Sequence, residues 1–209
     1  IKSRHLYKNK KIKNKISFSI MNSKANIYFK NNYIVDNYFY TKKKIKVNKI
    51  SNDLFGCFNN QNILVCYIVS QIFKIQLNIF KKTIKNFKGL PHRSKTILDN
   101  KYFFVINNSK ATNVEATYNS LKNYKKVLLI LGGRAKEKNF EKLKKLYFNV
   151  TEAFLYGESA SLIEKQIKSK IKLKQYNNLE EIVNKIFNKY KLKTKKQTIL
   201  FAPACSSFD

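Results

Sequence analysis

A short polar segment at residues 107–113, Asn-Asn-Ser-Lys-Ala-Thr-Asn, has the composition of an anion-binding turn. It follows an apolar run at residues 102–106 and precedes a helical pattern that begins near Val114. A strand that leads into a lysine-bearing turn and then into a helix presents backbone N–H groups and a cation to an anion. We therefore predict a ligand site at this turn.

Three further polar clusters are expected beside this turn, because each of them also follows a predicted strand. They are residues 132–136, 157–159 and 205–207. In a parallel sheet the carboxyl ends of the strands meet at one edge, where ligands gather. That edge would collect two lysines and two hydroxyls, which suit a substrate with carboxylates or phosphates: Lys110, Lys136, Thr112 and Ser207. The spacing alone is explained equally well by a structural alternative. In that alternative, Thr112 and Asn113 cap a helix, and the two lysines are simply solvated.

The segments that must position these clusters alternate between strand and helix patterns. The predicted strands are residues 96–98, 102–106, 127–131, 153–156, 173–176 and 199–201. The predicted helices are residues 114–121, 140–146, 160–167 and 179–190. This alternation predicts an α/β domain with a Rossmann-like, mainly parallel and doubly wound sheet. Gly132 and Gly133 complete no nucleotide-binding fingerprint, so we expect them to allow a tight turn after their strand.

The first 88 residues have a different pattern, which predicts a separate domain ending before Gly89. Short β-type runs at residues 16–20, 27–29, 33–35 and 45–50 indicate a small meander. Residues 59–73 are apolar on nearly every side and predict a buried helix. Apolar residues at spacings of three and four predict a second helix over residues 76–87.

Composition argues against several classes of function. The net charge of +31, from 43 Lys and Arg against 12 Asp and Glu, ordinarily suggests nucleic acid or a membrane. Here, however, the lysines are spread over every segment rather than clustered on one. The arginines are Arg4, Arg93 and Arg134, so few guanidinium groups are available to bind guanine bases. Three scattered cysteines and two histidines support neither disulfides nor a metal site, and no apolar run approaches the roughly 20 residues of a spanning helix. We expect a soluble cytoplasmic protein without nucleic-acid or membrane partners.

Five segments, taken in order, resemble the Mur ligase family, and within it the branch that adds D-glutamate. The G-L-P-H-R and S-K-A-T-N strings are specific to that branch. The segments are Gly56-Cys57-Phe58-Asn59-Asn60-Gln61-Asn62, Gly89-Leu90-Pro91-His92-Arg93, residues 106–113, Leu131-Gly132-Gly133 with Lys136, and residues 202–209.

The resemblance implies a domain organisation and a reaction. Residues 1–88 would be the last part of a central ATPase domain, and residues 89–209 a dinucleotide-fold C-terminal domain without its last helix. The implied enzyme is a monomeric ligase of peptidoglycan synthesis that uses ATP and Mg²⁺. It would phosphorylate the carboxylate of UDP-N-acetylmuramoyl-L-alanine, and the amine of D-glutamate would attack the acyl phosphate. The family's P-loop and metal ligands are expected upstream of Ile1, so we expect this segment alone to be inactive.

The resemblance also implies roles for individual residues. On the D-glutamate side they are Lys110, Thr112, Lys136 and Ser207, and on the nucleotide side Asn59, Asn62, Arg93 and Asn108. The sequence departs from the family at three places. Asn108 stands where the family usually has aspartate, Phe58 replaces a histidine, and Arg134-Ala135 replaces a more acidic, glycine-containing pair.

Three alternatives remain open. One is a degenerate Mur relative that keeps the fold without catalysis. Another is a different Mur or folylpolyglutamate-type ligase, although those lack the G-L-P-H-R string. The third is a basic nucleic-acid-binding module, which is supported by net charge alone.

Overall fold

Contacts between residues divide the chain into two units, Ile1–Lys88 and Gly89–Asp209. The computed structural model describes residues 14–47, 57–191 and 193–206. Each unit is built around hydrophobic clusters of its own. The assignment of the two units to the central and C-terminal domains of a ligase stays a prediction.

The first unit contains a small sheet whose strands lie in the order β1 (Phe18–Ser19), β2 (Ile27–Lys30), β3 (Tyr33–Asp36) and β4 (Lys43–Lys46). Strands β2, β3 and β4 pair antiparallel, which confirms that part of the predicted meander. The prediction of a meander is wrong for β1, because β1 pairs parallel with β2, whereas neighbouring strands of a meander are antiparallel. The predicted strand at residues 45–50 extends past Val47 into residues that lie outside the described ones.

Two helices, α1 (Cys57–Ile72) and α2 (Leu77–Asn86), share a hydrophobic cluster with this sheet. One side of α1 packs into the core with Ile63, Leu64 and Tyr67. The prediction of a fully buried helix is wrong, because the opposite side of α1 carries Val65 and Val69 in exposed positions. Apolar side chains spaced three or four residues apart lie on one face of a helix whether or not a neighbour covers that face. Across the described residues, no helix combines the length and apolar character needed to cross a bilayer.

The second unit is organised around a larger sheet, in the order β5-β6-β10-β7-β8-β9. Strands β6, β10, β7, β8 and β9 are parallel to their neighbours, and β5 pairs antiparallel with β6. The strands are β5 (Lys95–Asp99), β6 (Phe103–Asn107), β7 (Val127–Gly132), β8 (Val150–Tyr156), β9 (Leu173–Gln175) and β10 (Gln197–Phe201). The helices are α3 (Val114–Leu121), α4 (Ala160–Ile167) and α5 (Leu179–Tyr190), with a 3-10 helix at Glu141–Asn149.

Helices cover both faces of this sheet. Alternate residues of the central strands face two different clusters, since Leu129 packs with α3 and α4 whereas Leu128 packs with α5. The predicted doubly wound α/β sheet is therefore confirmed. The helix predicted at residues 140–146 is a 3-10 helix instead, and its backbone leaves helical geometry at Leu146 (φ −114°, ψ 25°). Over so few turns, the spacing of apolar residues does not distinguish an α-helix from a 3-10 helix.

Candidate functional site

The turn that carries Arg93 is hydrogen-bonded to the polar turn after β6. The backbone N–H of Lys110 donates to the carbonyl oxygen of His92 at 3.1 Å. The side-chain oxygen of Asn108, a buried residue, accepts from the N–H of Ser94 at 3.0 Å. His92 and Ser94, on either side of exposed Arg93, both have positive φ (62° and 51°), so the chain reverses tightly around the guanidinium-bearing residue. Two motifs that are separate in the sequence thus form one piece of structure.

The same polar turn is also bonded to the segment after β10. The N–H of Asn108 donates to the carbonyl oxygen of Phe201 at 2.8 Å, and the N–H of Ala204 donates to that of Ala111 at 2.9 Å. The buried hydroxyl of Thr117, on α3, lies 3.3 Å from the carbonyl oxygen of Ala111. These bonds fix the backbone on both sides of Lys110 and Thr112.

Helix α3 begins at the end of this turn and is capped by Asn113. The Asn113 side chain accepts a hydrogen bond from the N–H of Ala116 at 2.7 Å. A capping role for Asn113 is therefore confirmed, and this leaves Thr112 just outside the helix. Lys110 is exposed and Thr112 is half-buried, so the turn presents a cation and a hydroxyl on a rigid base.

The loop after β7 is held against two neighbouring segments. Gly133 N–H donates to the carbonyl oxygen of Tyr156 at 3.1 Å, and Arg134 and Ser206 exchange two backbone hydrogen bonds of 3.1 and 3.0 Å. Gly132 and Gly133 have φ of +137° and +117°, and a Cβ on Gly133 would lie 2.4 Å from the carbonyl oxygen of Ser206. Only glycine accommodates this approach, which confirms the expected tight turn. Lys136 lies further along the same loop and is exposed.

An exposed ion pair joins this loop to the segment after β8. The Arg134 guanidinium donates from Nε to Glu158 Oε2 at 3.1 Å and from Nη2 to Oε1 at 3.0 Å. These hydrogen bonds lower the pKa of Glu158 and raise the pKa of Arg134. Because both side chains are largely in solvent, we expect the pair to orient the loop more than to stabilise the fold.

Beneath the loops lies Cys205, which is fully buried. Burial raises the pKa of its thiol to about 11, although a hydrogen bond with Ser159 acts in the opposite direction. The thiol is therefore protonated near neutral pH and is a poor nucleophile. Cys205 serves as a packing residue under the loops.

The structure gathers five of the predicted site residues in the second unit, at the carboxyl edge of its sheet: Arg93, Asn108, Lys110, Thr112 and Lys136. The predicted residue Ser207 lies outside the described residues. Asn59 and Asn62 lie near the start of α1 in the first unit, where Asn59 is half-buried and Asn62 exposed. The site roles of all eight residues stay predictions.

Sequence reasoning gave no role to two residues that shape this edge. The side-chain nitrogen Nδ2 of Asn107 lies 3.1 Å from Nδ1 of His92, which adds a side-chain contact between the two motifs. Ser159 hydrogen-bonds to two residues of the Lys136 loop. The sequence placed Ser159 in a polar cluster at a strand end, but nothing in it indicated the distant partners.

The charge of this edge favours anionic ligands. Arg93, Lys110 and Lys136 are exposed cations at or beside the ends of parallel strands. Among residues 14–47, 57–191 and 193–206, no three His, Cys, Asp or Glu side chains come close enough together to hold a metal ion. The arrangement suits carboxylates or phosphates bound directly by side chains.

Comparisons with known proteins give consistent relatives. No protein-family model matches the chain. A protein of Wolbachia pipientis wMel named "UDP-N-acetylmuramoylalanine--D-glutamate ligase" is 31% identical over 175 residues, which are 84% of this chain and 33% of that protein. A protein of the same name from Francisella tularensis subsp. tularensis (strain WY96-3418) is 35% identical over 164 residues, covering 77% of this chain and 39% of that protein. The chain thus spans between a third and two fifths of these relatives.

Solved structures with a similar fold are more distant in sequence. The crystal structure of UDP-N-acetylmuramate-alanine ligase from Thermotoga maritima aligns with a TM-score of 0.65 at 15% identity, over 90% of this chain and 44% of that one. The bifunctional folylpolyglutamate synthase/dihydrofolate synthase of Yersinia pestis CO92 aligns with a TM-score of 0.63 at 15% identity, over 86% of this chain and 43% of that one. These similarities establish a shared fold.

Proposed function

We propose, from the premise that this chain belongs to the Mur ligase family, that it is part of an ATP-dependent enzyme that joins D-glutamate to UDP-N-acetylmuramoyl-L-alanine. The named relatives support this choice within the family, as do the G-L-P-H-R and S-K-A-T-N strings. The reaction would contribute to peptidoglycan precursors in the cytoplasm and be carried out by a monomer. The activity belongs to the complete polypeptide of the relatives, of which this chain matches the part that would bind D-glutamate.

The observation that carries the proposal is the arrangement of the two lysine-bearing loops. Lys110 follows β6 and Lys136 follows β7, and β10 lies between those strands. Adjacent strands are about 4.8 Å apart, so the two loops begin about 10 Å apart. Lysine side chains can reach into that gap from both sides. D-Glutamate carries two carboxylates, and two cations on loops that flank the end of β10 suit such a dianion.

The second substrate must be held so that its amine meets the activated carbonyl. Lys136 and Ser207 would bind the carboxylates of D-glutamate, and Lys110 and Thr112 would serve the same side of the site. The amine then attacks the acyl phosphate carbon, an amide bond forms, and phosphate leaves with the bonding electron pair. Fixing both carboxylates converts this encounter into an oriented reaction, which contributes much of the rate. Nearby cations offset the charge that develops on the phosphate and the tetrahedral intermediate.

The nucleotide would lie on the side of Arg93. Mur ligases in general use ATP with Mg²⁺, and ATP supplies the phosphoryl group that activates the carboxylate. Arg93 would contact phosphate, Asn108 the ribose region, and Asn59 and Asn62 the adenine. The exposed guanidinium on a tightly turned backbone suits a phosphate partner. The described residues offer no carboxylate cluster for Mg²⁺, so we assign no metal ligand here.

A kinetic comparison of two lysine variants tests the proposal. The polypeptide encoded by the whole reading frame is assayed for ADP release with UDP-N-acetylmuramoyl-L-alanine and varied D-glutamate. Lys136→Ala should raise the KM for D-glutamate by about 10- to 100-fold while the KM for ATP changes little, because one carboxylate contact is lost. Lys138→Ala, which removes another exposed lysine of the same loop, is the control and should behave as the parent protein.

Two results would contradict the proposal. Equal D-glutamate kinetics in the Lys136→Ala and Lys138→Ala variants would remove Lys136 from the site. Absence of ADP release with every amino acid tested would favour a relative that keeps the fold without catalysis.

A further inference from the structure

Ser159 joins two segments of the site edge. Its hydroxyl oxygen accepts a hydrogen bond from the N–H of Ala135 at 2.8 Å, and its own N–H donates to the carbonyl oxygen of Gly133 at 3.1 Å. Ser159 itself is only 5% exposed. One buried residue therefore ties the segment after β8 to the loop that follows β7.

The position of Ser159 in its own helix makes these contacts unusual. It occupies the N-cap of α4, where a serine hydroxyl ordinarily accepts a bond from the first turn of its helix. Here the side chain makes no capping hydrogen bond. The hydroxyl is used for the loop instead, and the first N–H of α4, that of Ala160, donates to the carbonyl oxygen of Gly157 at 3.1 Å. A structural cap would have stabilised α4, so the observed geometry favours a role in the loop.

We propose that Ser159 is a positioning residue that holds the loop of Lys136 in the conformation needed to bind the amino-acid substrate. The inference rests on the proposed function, since the substrate is D-glutamate in that proposal. Ser159 hydrogen-bonds to Ala135 and Gly133, the residues one and three places before Lys136, so it would act through the loop rather than by touching the substrate. Ala135 N–H would lose its acceptor in Ser159→Ala, and Lys136 would sample several positions.

The matched variants separate positioning from general stability. Ser159→Ala removes the hydroxyl, and Ser159→Thr restores an oxygen at the same place. Ser120→Ala removes another buried hydroxyl, one that has no hydrogen-bond partner among the described residues and lies on α3. Ser161→Ala changes the exposed face of α4 near its start.

Kinetics provide the first readout, in the polypeptide encoded by the whole reading frame. Ser159→Ala should raise the KM for D-glutamate about tenfold, with the KM for ATP within twofold, and Ser159→Thr should recover most of the loss. The Ser120→Ala and Ser161→Ala variants should keep the parent values. A KM for D-glutamate in Ser159→Ala equal to that of the parent, in a protein that is otherwise active, would overturn the inference and leave the proposed function intact.

Hydrogen exchange provides a second readout that does not depend on activity. In the same polypeptide, the peptide that spans residues 133–138 should exchange its amide protons about tenfold faster in Ser159→Ala, because opening of the loop becomes easier. Ser120→Ala should leave that peptide unchanged. If the parent protein lacks ligase activity, the proposed function fails, and exchange alone decides whether Ser159 anchors the loop. Equal exchange in Ser159→Ala and the parent would overturn the inference.

Discussion

The side-chain oxygen of Asn108 accepts a hydrogen bond from the backbone N–H of Ser94 at 3.0 Å, which joins the end of β6 to the turn that carries Arg93. Asn108 is buried, so this bond lies largely out of solvent. A carboxylate could accept the same bond, because either side chain offers an oxygen at that position. By the resemblance to the family, Asn108 stands in place of an aspartate, and its amide would keep the structural contact without the charge.

Substitutions at Asn108 should separate these two effects. Asn108→Ala leaves the Ser94 N–H without its acceptor and should lower the free energy of unfolding of the second unit by about 1 kcal/mol. Asn108→Asp keeps an acceptor and should be less destabilising. In activity assays, Asn108→Ala should also raise the KM for ATP more than the KM for D-glutamate, because the Arg93 turn loses an anchor. Denaturant unfolding and ADP-release kinetics measure both, and equal stability of the two variants would contradict the account.

Alanine substitutions at Gly132, Gly133 and Gly157 should lower the stability of the fold in a definite order. A Cβ at Gly132 would lie 2.0 Å from the carbonyl oxygen of Tyr156, and one at Gly133 would lie 2.4 Å from that of Ser206. A Cβ at Gly157 meets its nearest atoms at 3.0 Å. All three have positive φ, which alone costs about 1–2 kcal/mol for alanine. Thermal unfolding should show larger losses for the first two variants, and a greater loss at Gly157 would contradict the geometry.

A buried carboxylate at the start of β8 should make stability depend on acid pH. Glu152 is 1% exposed and receives hydrogen bonds from Lys189 Nζ at 2.6 Å and from the Tyr190 hydroxyl at 2.8 Å. Burial raises the pKa of Glu152, but the two hydrogen bonds and the charge of Lys189 outweigh it, so the pKa lies below its ordinary value of 4.5. A depressed pKa in the folded state stabilises the fold above pH 4.5, and that stabilisation is lost as pH falls through the folded pKa.

Thermal unfolding at several pH values measures this effect. The parent chain should lose Tm more steeply than Glu152→Gln as the pH is lowered from 7 to about 3, because the amide does not titrate there. At pH 7 the Glu152→Gln variant should be the less stable protein, since it loses the ion pair with Lys189. Parallel Tm profiles for the two proteins would show that Glu152 is not responsible.

The first unit offers a prediction that is independent of the site. The hydroxyl of Tyr67 on α1 donates to Oδ2 of Asp36 at 2.6 Å, and Asp36 is fully buried. Burial and the hydrogen bond with Asp36 raise the pKa of Tyr67 above its ordinary value. Tyr67→Phe leaves a buried carboxyl oxygen without that donor and should destabilise the first unit by about 1–3 kcal/mol. Tyr33→Phe changes a less buried tyrosine of β3 and should have a smaller effect in the same unfolding experiment.

The sequence allowed most of the second unit to be predicted because its elements are strongly patterned. The helices α3, α4 and α5 have the predicted bounds, since apolar residues at spacings of three and four continue from Asn caps at Asn113 and Asn178. The polar clusters after β6, β7, β8 and β10 reach one edge because a parallel sheet brings the carboxyl ends of its strands together.

The remaining features depend on contacts between distant residues, which no local pattern contains. Whether the outer face of α1 is covered depends on neighbours, and residue types such as Val65 and Val69 do not record it. The parallel direction in which β1 pairs with β2 is a tertiary feature that the two residues of β1 do not encode. Ser159 looks like an ordinary N-cap serine in the sequence, and only its position beside Ala135 shows that its hydroxyl serves another loop.

The most direct test of the central claim is the dependence of ADP release on D-glutamate, measured with the polypeptide encoded by the whole reading frame and UDP-N-acetylmuramoyl-L-alanine. We predict release that saturates with D-glutamate, that needs both substrates and that is far weaker with L-glutamate, because carboxylates held by Lys136 and Ser207 would place only one enantiomer's amine at the reacting carbon. Equal rates with both enantiomers, or release that does not respond to D-glutamate, would contradict the assignment.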